Sequence, residues 1–294
     1  MLNTLKVGVL LTILTAAVLL VGRMLGGTNG MIIAFGLAMV MNVGSYWFSD
    51  KIVLKMTGAQ PVDPQQAPDL YRMTESLVQR ANLPMPKLYI INDPSPNAFA
   101  TGRNPDNAVV AVNTGLLNLL DKKEIEGVIA HELGHVAKRD TLTMAIVATL
   151  AGALMLMVQI ARFGALFGLG GGSDRNGNNM FTMLALIIVG PLAAVMIQSA
   201  ISRAREYEAD AYAAHLTGSP DGLINGLLKL ERGAAQIPTH SMTPQTAHMC
   251  IVNPFRGMGG IQAMFSTHPP MDKRVAALEA LRSQVQPVSA SPWS

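Results

Sequence analysis

The sequence is short of charge and nearly devoid of cysteine. Charged side chains make up 14% of its 294 residues, where a soluble domain has about 25%. The single cysteine, Cys250, cannot pair within the chain, which excludes a disulfide-stabilised secreted module and fits a reducing compartment. Aromatic residues are few, and no basic cluster accompanies the net charge of +3, so we expect no nucleic-acid binding. Apolar residues reach 50%, which excludes an intrinsically disordered chain.

Charge is missing above all from two long regions. Arg23 is the only charged side chain in residues 7–49, and three occur in residues 141–201. Four apolar runs in these regions have about the 20 residues that a helix needs to cross the hydrocarbon core of a membrane. They cover residues 5–22, 31–48, 141–160 and 180–200. We predict a mainly α integral membrane protein with four transmembrane helices, in two hairpins at 1–49 and 141–201.

A signal peptide and a soluble core hairpin fit these runs less well than membrane spans do. A cleaved signal peptide would account for 5–22, but that run lacks a convincing small-residue cleavage site. A buried hairpin in a soluble core would account for 141–160 and 180–200, but their length and lack of internal charge favour membrane spans.

Basic residues near the ends of the runs predict their orientation. Seven lie on one side, against three on the other. The first group is Lys6, Lys51, Lys55, Lys138, Arg139, Arg203 and Arg205, and the second is Arg23, Arg162 and Arg175. Because the side richer in Lys and Arg faces the cytoplasm, we expect both termini and the soluble segments there.

The remaining segments, 50–140 and 202–294, have the composition of a soluble domain. Apolar residues at helical spacing predict a helix within 63–82. Short apolar runs at 87–91 and 108–112 predict strands. The two segments are therefore expected to build one cytoplasmic α+β domain with a small sheet.

One motif in the first segment indicates a metal site. Asp121 and Glu124 have the spacing of a capping box, so a helix is expected to begin there and to run on through residues 131–135, His-Glu-Leu-Gly-His. His131 and His135 would share a helical face and could bind one ion, with Glu132 beside the open position. This is the arrangement of a zinc protease, with two ligands and a general base. The alternative is a pair of histidines on a helix surface.

Zinc with two histidine ligands needs a third protein ligand and an open position for water. The candidates downstream are Glu206, Glu208, Asp210, His215, His240, His248 and His268. Glu206 and Asp210 share a helical face, so one could bind zinc while the other accepts the free ring N–H of a histidine ligand. Spacing does not choose between them or exclude a histidine. The alternative for the acidic pair is a helix with internal salt bridges to Arg203 and Arg205.

The sequence resembles the HtpX membrane metalloproteases, relatives of the type I CAAX prenyl protease, over nearly its whole length. The motifs that carry the resemblance are His-Glu-Leu-Gly-His at 131–135, Glu-x-x-x-Asp at 206–210, Pro-Ser-Pro-Asn-Ala-Phe-Ala-Thr-Gly at 94–102, and Phe-Ser-Thr-His-Pro-Pro at 265–270 followed by Arg274. The order of the apolar runs matches as well. The resemblance implies a gluzincin-type protease domain that binds one zinc ion per chain.

The resemblance also implies a role for each site residue. It implies His131, His135 and Glu206 as zinc ligands and Glu132 as the general base. It implies Asp210 as the partner of a ligand histidine, His268 as a group that helps to stabilise the oxyanion, and Asn97 as part of a segment that cradles the substrate.

The expected function is a zinc endopeptidase embedded in the bacterial inner membrane. It would cleave cytoplasmic segments of misfolded or damaged membrane proteins, or unfolded polypeptides, during stress. An extended substrate would add a strand to a sheet edge, which either 108–112 or 97–102 could supply. The stretch 236–263 could be a flap over the cleft or a structural excursion. The alternatives are an intramembrane zinc protease, a processing protease for prenylated proteins and a membrane scaffold without activity.

Overall fold

The computed structural model describes residues 2–147, 149, 203–237, 239, 241, 249–252 and 269–286. The predicted span 180–200, His268 and most of 236–263 lie outside the described residues, as does all of the predicted span 141–160 except a helical run at 141–147 and residue 149. The third and fourth transmembrane helices therefore stay predictions.

Helical geometry extends from Leu2 to Thr57 (α1), but the chain reverses within it near Gly27. The side-chain amide of Asn42 donates a 2.8 Å hydrogen bond to the hydroxyl of Thr15, although a straight helix would place these residues about 40 Å apart. Gly27 has a φ of 58°, a left-handed conformation that glycine adopts without steric cost. The two limbs of α1 therefore lie side by side.

The second limb of α1 is apolar and largely exposed. Among the described residues, α1 is the one helix long and apolar enough to cross a membrane, in the window Gly27–Gly44. Its exposed large side chains include Ile32, Ile33, Phe35, Val40, Val43, Tyr46, Trp47 and Phe48. The membrane-spanning role of both limbs and the domain boundaries at residues 49, 140 and 201 stay predictions.

A mixed four-stranded sheet forms the first layer of the soluble part. Its strands are β1 (Gln60–Pro61), β2 (Lys87–Ile91), β3 (Ala98–Thr101) and β4 (Val109–Asn113), in the order β1-β2-β4-β3. Strands β2 and β4 are parallel, and β3 pairs with β4 antiparallel, with Ala98 opposite Val112 and Thr101 opposite Val109. Among the described residues, β4 is therefore interior and β3 is an edge.

Helices pack around this sheet and build the core. They are α2 (Pro68–Ala81), α3 (Thr114–Leu119), α4 (Lys122–Ala137), α5 (Arg203–Thr217), α6 (Asp221–Gln236) and α7 (Met271–Ala280). The predicted helix within 63–82 is α2, and the predicted strands at 87–91 and 108–112 are β2 and β4. The coarse prediction of a mostly helical domain with a small sheet is confirmed.

Helix α4 lies at the centre and is buried over most of its length. Its N-terminus has the predicted capping box: the carboxylate of Asp121 accepts from the N–H of Glu124, and Glu124 accepts from the N–H of Asp121. Two glycines let neighbouring helices approach it closely. A Cβ at Gly127 would lie 2.5 Å from the backbone nitrogen of Leu223 in α6, and one at Gly134 would lie 3.1 Å from Cα of Ala209 in α5.

Candidate metal centre

Helix α4 carries three side chains of the candidate site. His131 and His135 lie one turn apart on the same face, and their ring centroids are 4.9 Å apart with the rings perpendicular. Glu132 follows His131 by one residue, and all three side chains are buried. The helical spacing places the two imidazoles together, as the motif predicts.

Helix α5 brings Glu206 to the two histidines. Oε2 of Glu206 lies 3.9 Å from Nε2 of His131, and Oε1 lies 3.7 Å from Nε2 of His135. One potential ligand atom from each of the three residues lies within 4.8 Å of the others. The close approach of α5 to α4 at Gly134 makes this possible, because Ala209 lies one turn beyond Glu206 in α5.

This donor set fits a zinc ion. Zinc–nitrogen and zinc–oxygen bonds of about 2.0–2.2 Å put neighbouring atoms of a tetrahedral site about 3.3–3.6 Å apart. The distances of 3.7 and 3.9 Å run to different oxygens of Glu206, and one potential ligand atom from each residue lies within 4.8 Å of the others, so a small contraction would bring the three donors around one ion. Two imidazoles with one carboxylate form a ligand set of catalytic zinc sites.

A buried aspartate and arginine hold the ring of His131. Oδ1 of Asp210 lies 2.9 Å from Nδ1 of His131. The guanidinium of Arg274 in α7 donates to both oxygens of Asp210, at 2.8 and 2.6 Å. Burial acts to raise the pKa of Asp210, but Arg274 outweighs this and holds that pKa below its usual value. With Nδ1 facing Asp210, Nε2 of His131 faces Glu206.

A second aspartate and arginine hold the ring of His135. Oδ2 of Asp140 lies 3.5 Å from Nδ1 of His135, and Nη1 of Arg205 lies 3.3 Å from Oδ1 of Asp140. Burial acts to lower the pKa of His135, but Asp140, Glu206 and Glu132 together raise it above its usual value. Each candidate ligand histidine therefore has a carboxylate behind it and an arginine behind that carboxylate.

Glu132 lies between the two histidines and the edge strand. Burial, reinforced by the negative charge of Glu206, raises its pKa to about 7, although His135 and the backbone of Ala100 in β3 act in the opposite direction. The side chain is therefore close to the backbone of the edge strand β3.

Comparison with known proteins identifies the family. The model of peptidase family M48 matches residues 64–282. A "Protease HtpX homolog" of Desulforapulum autotrophicum is 52% identical over 94% of this chain and 89% of that protein. One of Pyrococcus furiosus is 46% identical over 95% of this chain and 96% of that protein. The chain belongs to peptidase family M48.

A solved structure shares the fold of this M48 protease. The crystal structure of Ste24p from S. mikatae matches 90% of this chain with a TM-score of 0.50 at 21% identity, and the match spans 62% of that chain. The match to family M48 and the HtpX relatives confirm the resemblance to the HtpX metalloproteases, and membership of this family supports metalloprotease activity. The individual roles of the site residues stay predictions.

In this M48 protease, Asn97 precedes β3 and is buried. Its Oδ1 accepts a 3.2 Å hydrogen bond from the backbone N–H of Ile251, and its Nδ2 donates to Sγ of Cys250 at 3.3 Å. Nη1 of Arg274 donates to the carbonyl of Ile251 at 3.0 Å. The segment 249–252 therefore joins the start of β3 to the arginine beside the candidate metal ligands.

Three contributors to the site were not predicted from the sequence. The sequence patterns give no role to Asp140. Arg205 enters only as one of the basic residues that predict orientation and as a possible salt-bridge partner within its own helix, and Arg274 enters only as part of a motif that carries the resemblance. The sequence contains one signal for Asp140, an acidic residue just beyond the motif helix. Arg139 has a φ of 59°, and this turn returns Asp140 to His135. His268 lies outside the described residues.

Proposed function

We propose that this chain is a zinc-dependent endopeptidase anchored in a membrane, which cuts cytoplasmic segments of membrane proteins. The observation that carries the proposal is the buried trio of His131, His135 and Glu206 with Glu132 beside it. The proposal assigns the trio to zinc and Glu132 to proton transfer. The donor chemistry and the membership of family M48 support it.

The chain's own residues would divide the chemistry among them. Zinc, when bound, lowers the pKa of water and polarises a peptide carbonyl. Glu132 accepts the proton of the attacking water and delivers it to the leaving amine. Asp210 and Asp140 keep Nδ1 of their histidines engaged, which directs Nε2 of each ring to the metal. His268 is proposed as a donor to the oxyanion.

An extended substrate would pair with β3. The sheet order favours this edge over 108–112, because β4 is bonded on both sides, to β2 and β3. The influence of the Ala100 backbone on Glu132 supports the same choice, since a chain laid along β3 passes close to that carboxylate. Asn97 would orient the substrate backbone at the start of the strand.

The proposed membrane boundary lies in the second limb of α1, about three turns before the helix ends at Thr57. Tyr46, Trp47 and Phe48 are exposed there, and Lys51 follows one turn later. Trp and Tyr side chains with flanking basic residues are typical of the interface between a bilayer and water. The guanidinium of Arg103 lies 5.0 Å from the centroid of the Trp47 ring. Because Arg103 follows β3 closely, the substrate edge would lie near the lipid surface, which favours membrane-protein substrates.

In the full proposal the chain crosses the bacterial inner membrane four times, with both termini in the cytoplasm. Its role is the turnover of damaged proteins under stress. The apolar surface of α1 and the distribution of basic residues support the topology. The lipid bilayer is therefore a structural partner of the chain.

Glu132→Gln tests the function directly. We expect the full-length variant in lipid nanodiscs to retain one zinc per chain and to lose nearly all cleavage of a membrane-protein substrate, because the amide cannot accept the proton. Zinc is measured by metal analysis and cleavage by product fragments. His135→Ala is the matched control that should lose both.

Substrate choice separates the remaining possibilities. Equal cleavage of soluble unfolded protein and membrane protein by enzyme in nanodiscs would contradict the proposed substrate class. Preferred cleavage of a prenylated peptide would favour a processing protease. Zinc binding without any cleavage would favour a scaffold.

A further inference from the structure

A short turn links α4 to the helical run 141–147 and contacts both sides of the site. The backbone N–H of Asp140 donates to the carbonyl of His135 at 3.0 Å, and its carboxylate meets the ring of the same residue. The hydroxyl of Thr141 donates to the carbonyl of Gly102, directly beyond β3, at 2.8 Å. Two neighbouring side chains therefore reach a ligand histidine and the end of the edge strand.

Asp140 also joins the two helices that carry the candidate ligands. Its Oδ1 accepts from Arg205, which directly precedes Glu206 in α5. Glu206 in turn lies 3.7 Å from His135. His135, Asp140, Arg205 and Glu206 thus form a closed ring of contacts between α4 and α5. An ion pair at this point restrains the distance between the helices as well as the orientation of one imidazole.

We propose that Asp140 and Arg205 are positioning residues for the metal site, so that metal affinity depends on their ion pair. The inference rests on the proposed function, in which His135 and Glu206 bind zinc. Asp140 keeps Nδ1 of His135 engaged and leaves Nε2 for the metal. Arg205 holds Asp140 in place and fixes the start of α5 next to Glu206.

The competing role for Asp140 is purely structural. Its carbonyl accepts from the N–H of Met144 at the start of the run 141–147, so the residue also belongs to a helix N-terminus. A structural role would lower the stability of the metal-free protein and leave its intrinsic metal affinity unchanged. Thr141 supplies a matched control, because it is equally buried in the same turn but bonds to Gly102.

The test measures zinc affinity by competition with a chelator, using the full chain in detergent micelles. Asp140→Asn is expected to weaken affinity about 10–100-fold, the cost usual for residues that orient metal ligands. Arg205→Gln is expected to weaken it less, and the double variant no more than Asp140→Asn alone, because Arg205 acts through Asp140. Thr141→Val should bind zinc like the wild type.

Two further readouts separate positioning from folding. The absorption spectrum of the Co²⁺-loaded protein should change in Asp140→Asn and stay unchanged in Thr141→Val, and the thermal midpoints of the metal-free proteins show whether each variant folds. If Asp140→Asn does not fold, unchanged zinc affinity in Arg205→Gln overturns the inference. It is also overturned if Asp140→Asn binds zinc normally or if Thr141→Val loses as much affinity. A wild-type protein that binds no zinc would overturn the proposed function as well.

Discussion

The two candidate ligand histidines are supported in the same way but in different surroundings. Asp210 and Arg274, which we call the interior support, form a bidentate pair at 2.6 and 2.8 Å behind His131. Asp140 and Arg205, the turn support, make single longer contacts of 3.5 and 3.3 Å at His135. Arg274 is completely buried, whereas the side chain of Arg205 is 11% exposed.

This difference indicates separate tasks for the two supports. A fully buried arginine has no water to solvate it, so the interior support must stay paired for the domain to fold. The turn support is less buried, with 11% of the Arg205 side chain exposed, and its contacts are longer, so we expect a change in its pairing to be less costly. We therefore expect the interior support to dominate stability and the turn support to affect mainly the metal site.

The largest expected effect comes from breaking the interior support. Asp210→Ala leaves the guanidinium of Arg274 buried without its main counter-ion, and we expect a loss of about 3–5 kcal/mol in the free energy of unfolding. Asp140→Ala should cost less, because the contacts that it breaks are longer and Arg205 is less buried than Arg274. Denaturation of both variants in micelles with a chelator present measures this without a contribution from metal. Equal losses would contradict the assignment of separate tasks.

The double variant Asp210→Ala with Arg274→Met provides the control. Replacing both members of a buried ion pair with apolar side chains often restores stability. We expect the double variant to be more stable than Asp210→Ala alone, and a purely additive loss would show that the ion pair is not the origin of the effect.

The next prediction compares the pKa values of two buried carboxyl groups near His131, those of Asp210 and Glu132. Arg274 lowers the pKa of Asp210, whereas burial raises that of Glu132 to about 7. The native metal-free protein therefore holds a proton on Glu132 that the unfolded chain, with a pKa near 4.5, releases. The contribution of Glu132 to stability becomes unfavourable as the pH rises through this window.

Glu132→Gln removes this titration, so the metal-free variant should gain stability relative to the wild type as the pH rises from 4.5 to 7. Over this range the variant should gain about 3 kcal/mol in the free energy of unfolding relative to the wild type, at 1.36 kcal/mol per unit of pKa. Denaturation of both proteins with chelator at pH 5 and pH 8 measures it. A difference that does not change with pH would contradict a raised pKa at Glu132.

Sequence patterns predict those helices whose start and spacing depend on interactions between residues close in the chain. The capping box and the motif predict α4 with its two histidines and Glu132, because helix geometry alone sets their spacing. The choice of Glu206 among seven candidates depended on how α5 packs against α4, which no spacing within α5 encodes. The resemblance to HtpX therefore supplied that choice, and the structure then brought Glu206 to the histidines.

Tertiary contacts explain the features that local patterns do not predict. The sequence offers 97–102 only as a possible sheet edge, because β3 has four residues, too few for a clear alternation, and it forms where β4 offers a partner. Asp140 returns to His135 through a left-handed turn at Arg139, a conformation that the sequence does not announce because the residue is not glycine. Arg274 meets Asp210 across a wide separation in the chain.

The smallest effects concern the two glycines of α4, and they should fall on different properties. A Cβ at Gly127 would meet the backbone of α6 at 2.5 Å, which forces the helices apart. Gly127→Ala should therefore lower stability by about 1–3 kcal/mol, the usual cost of overpacking. Because α6 carries no candidate ligand, the variant should still bind zinc with wild-type affinity.

Gly134→Ala reverses this pattern. Its Cβ would meet Cα of Ala209 at 3.1 Å, so α5 need move by only a few tenths of an ångström and the loss of stability should be smaller than in Gly127→Ala. That movement carries Glu206 away from the histidines, so zinc affinity should fall. Denaturation and chelator competition on both variants test whether Gly127→Ala loses more stability and Gly134→Ala loses more zinc affinity. If Gly127→Ala loses the metal while Gly134→Ala keeps it, the contact between α4 and α5 does not set the geometry of the site.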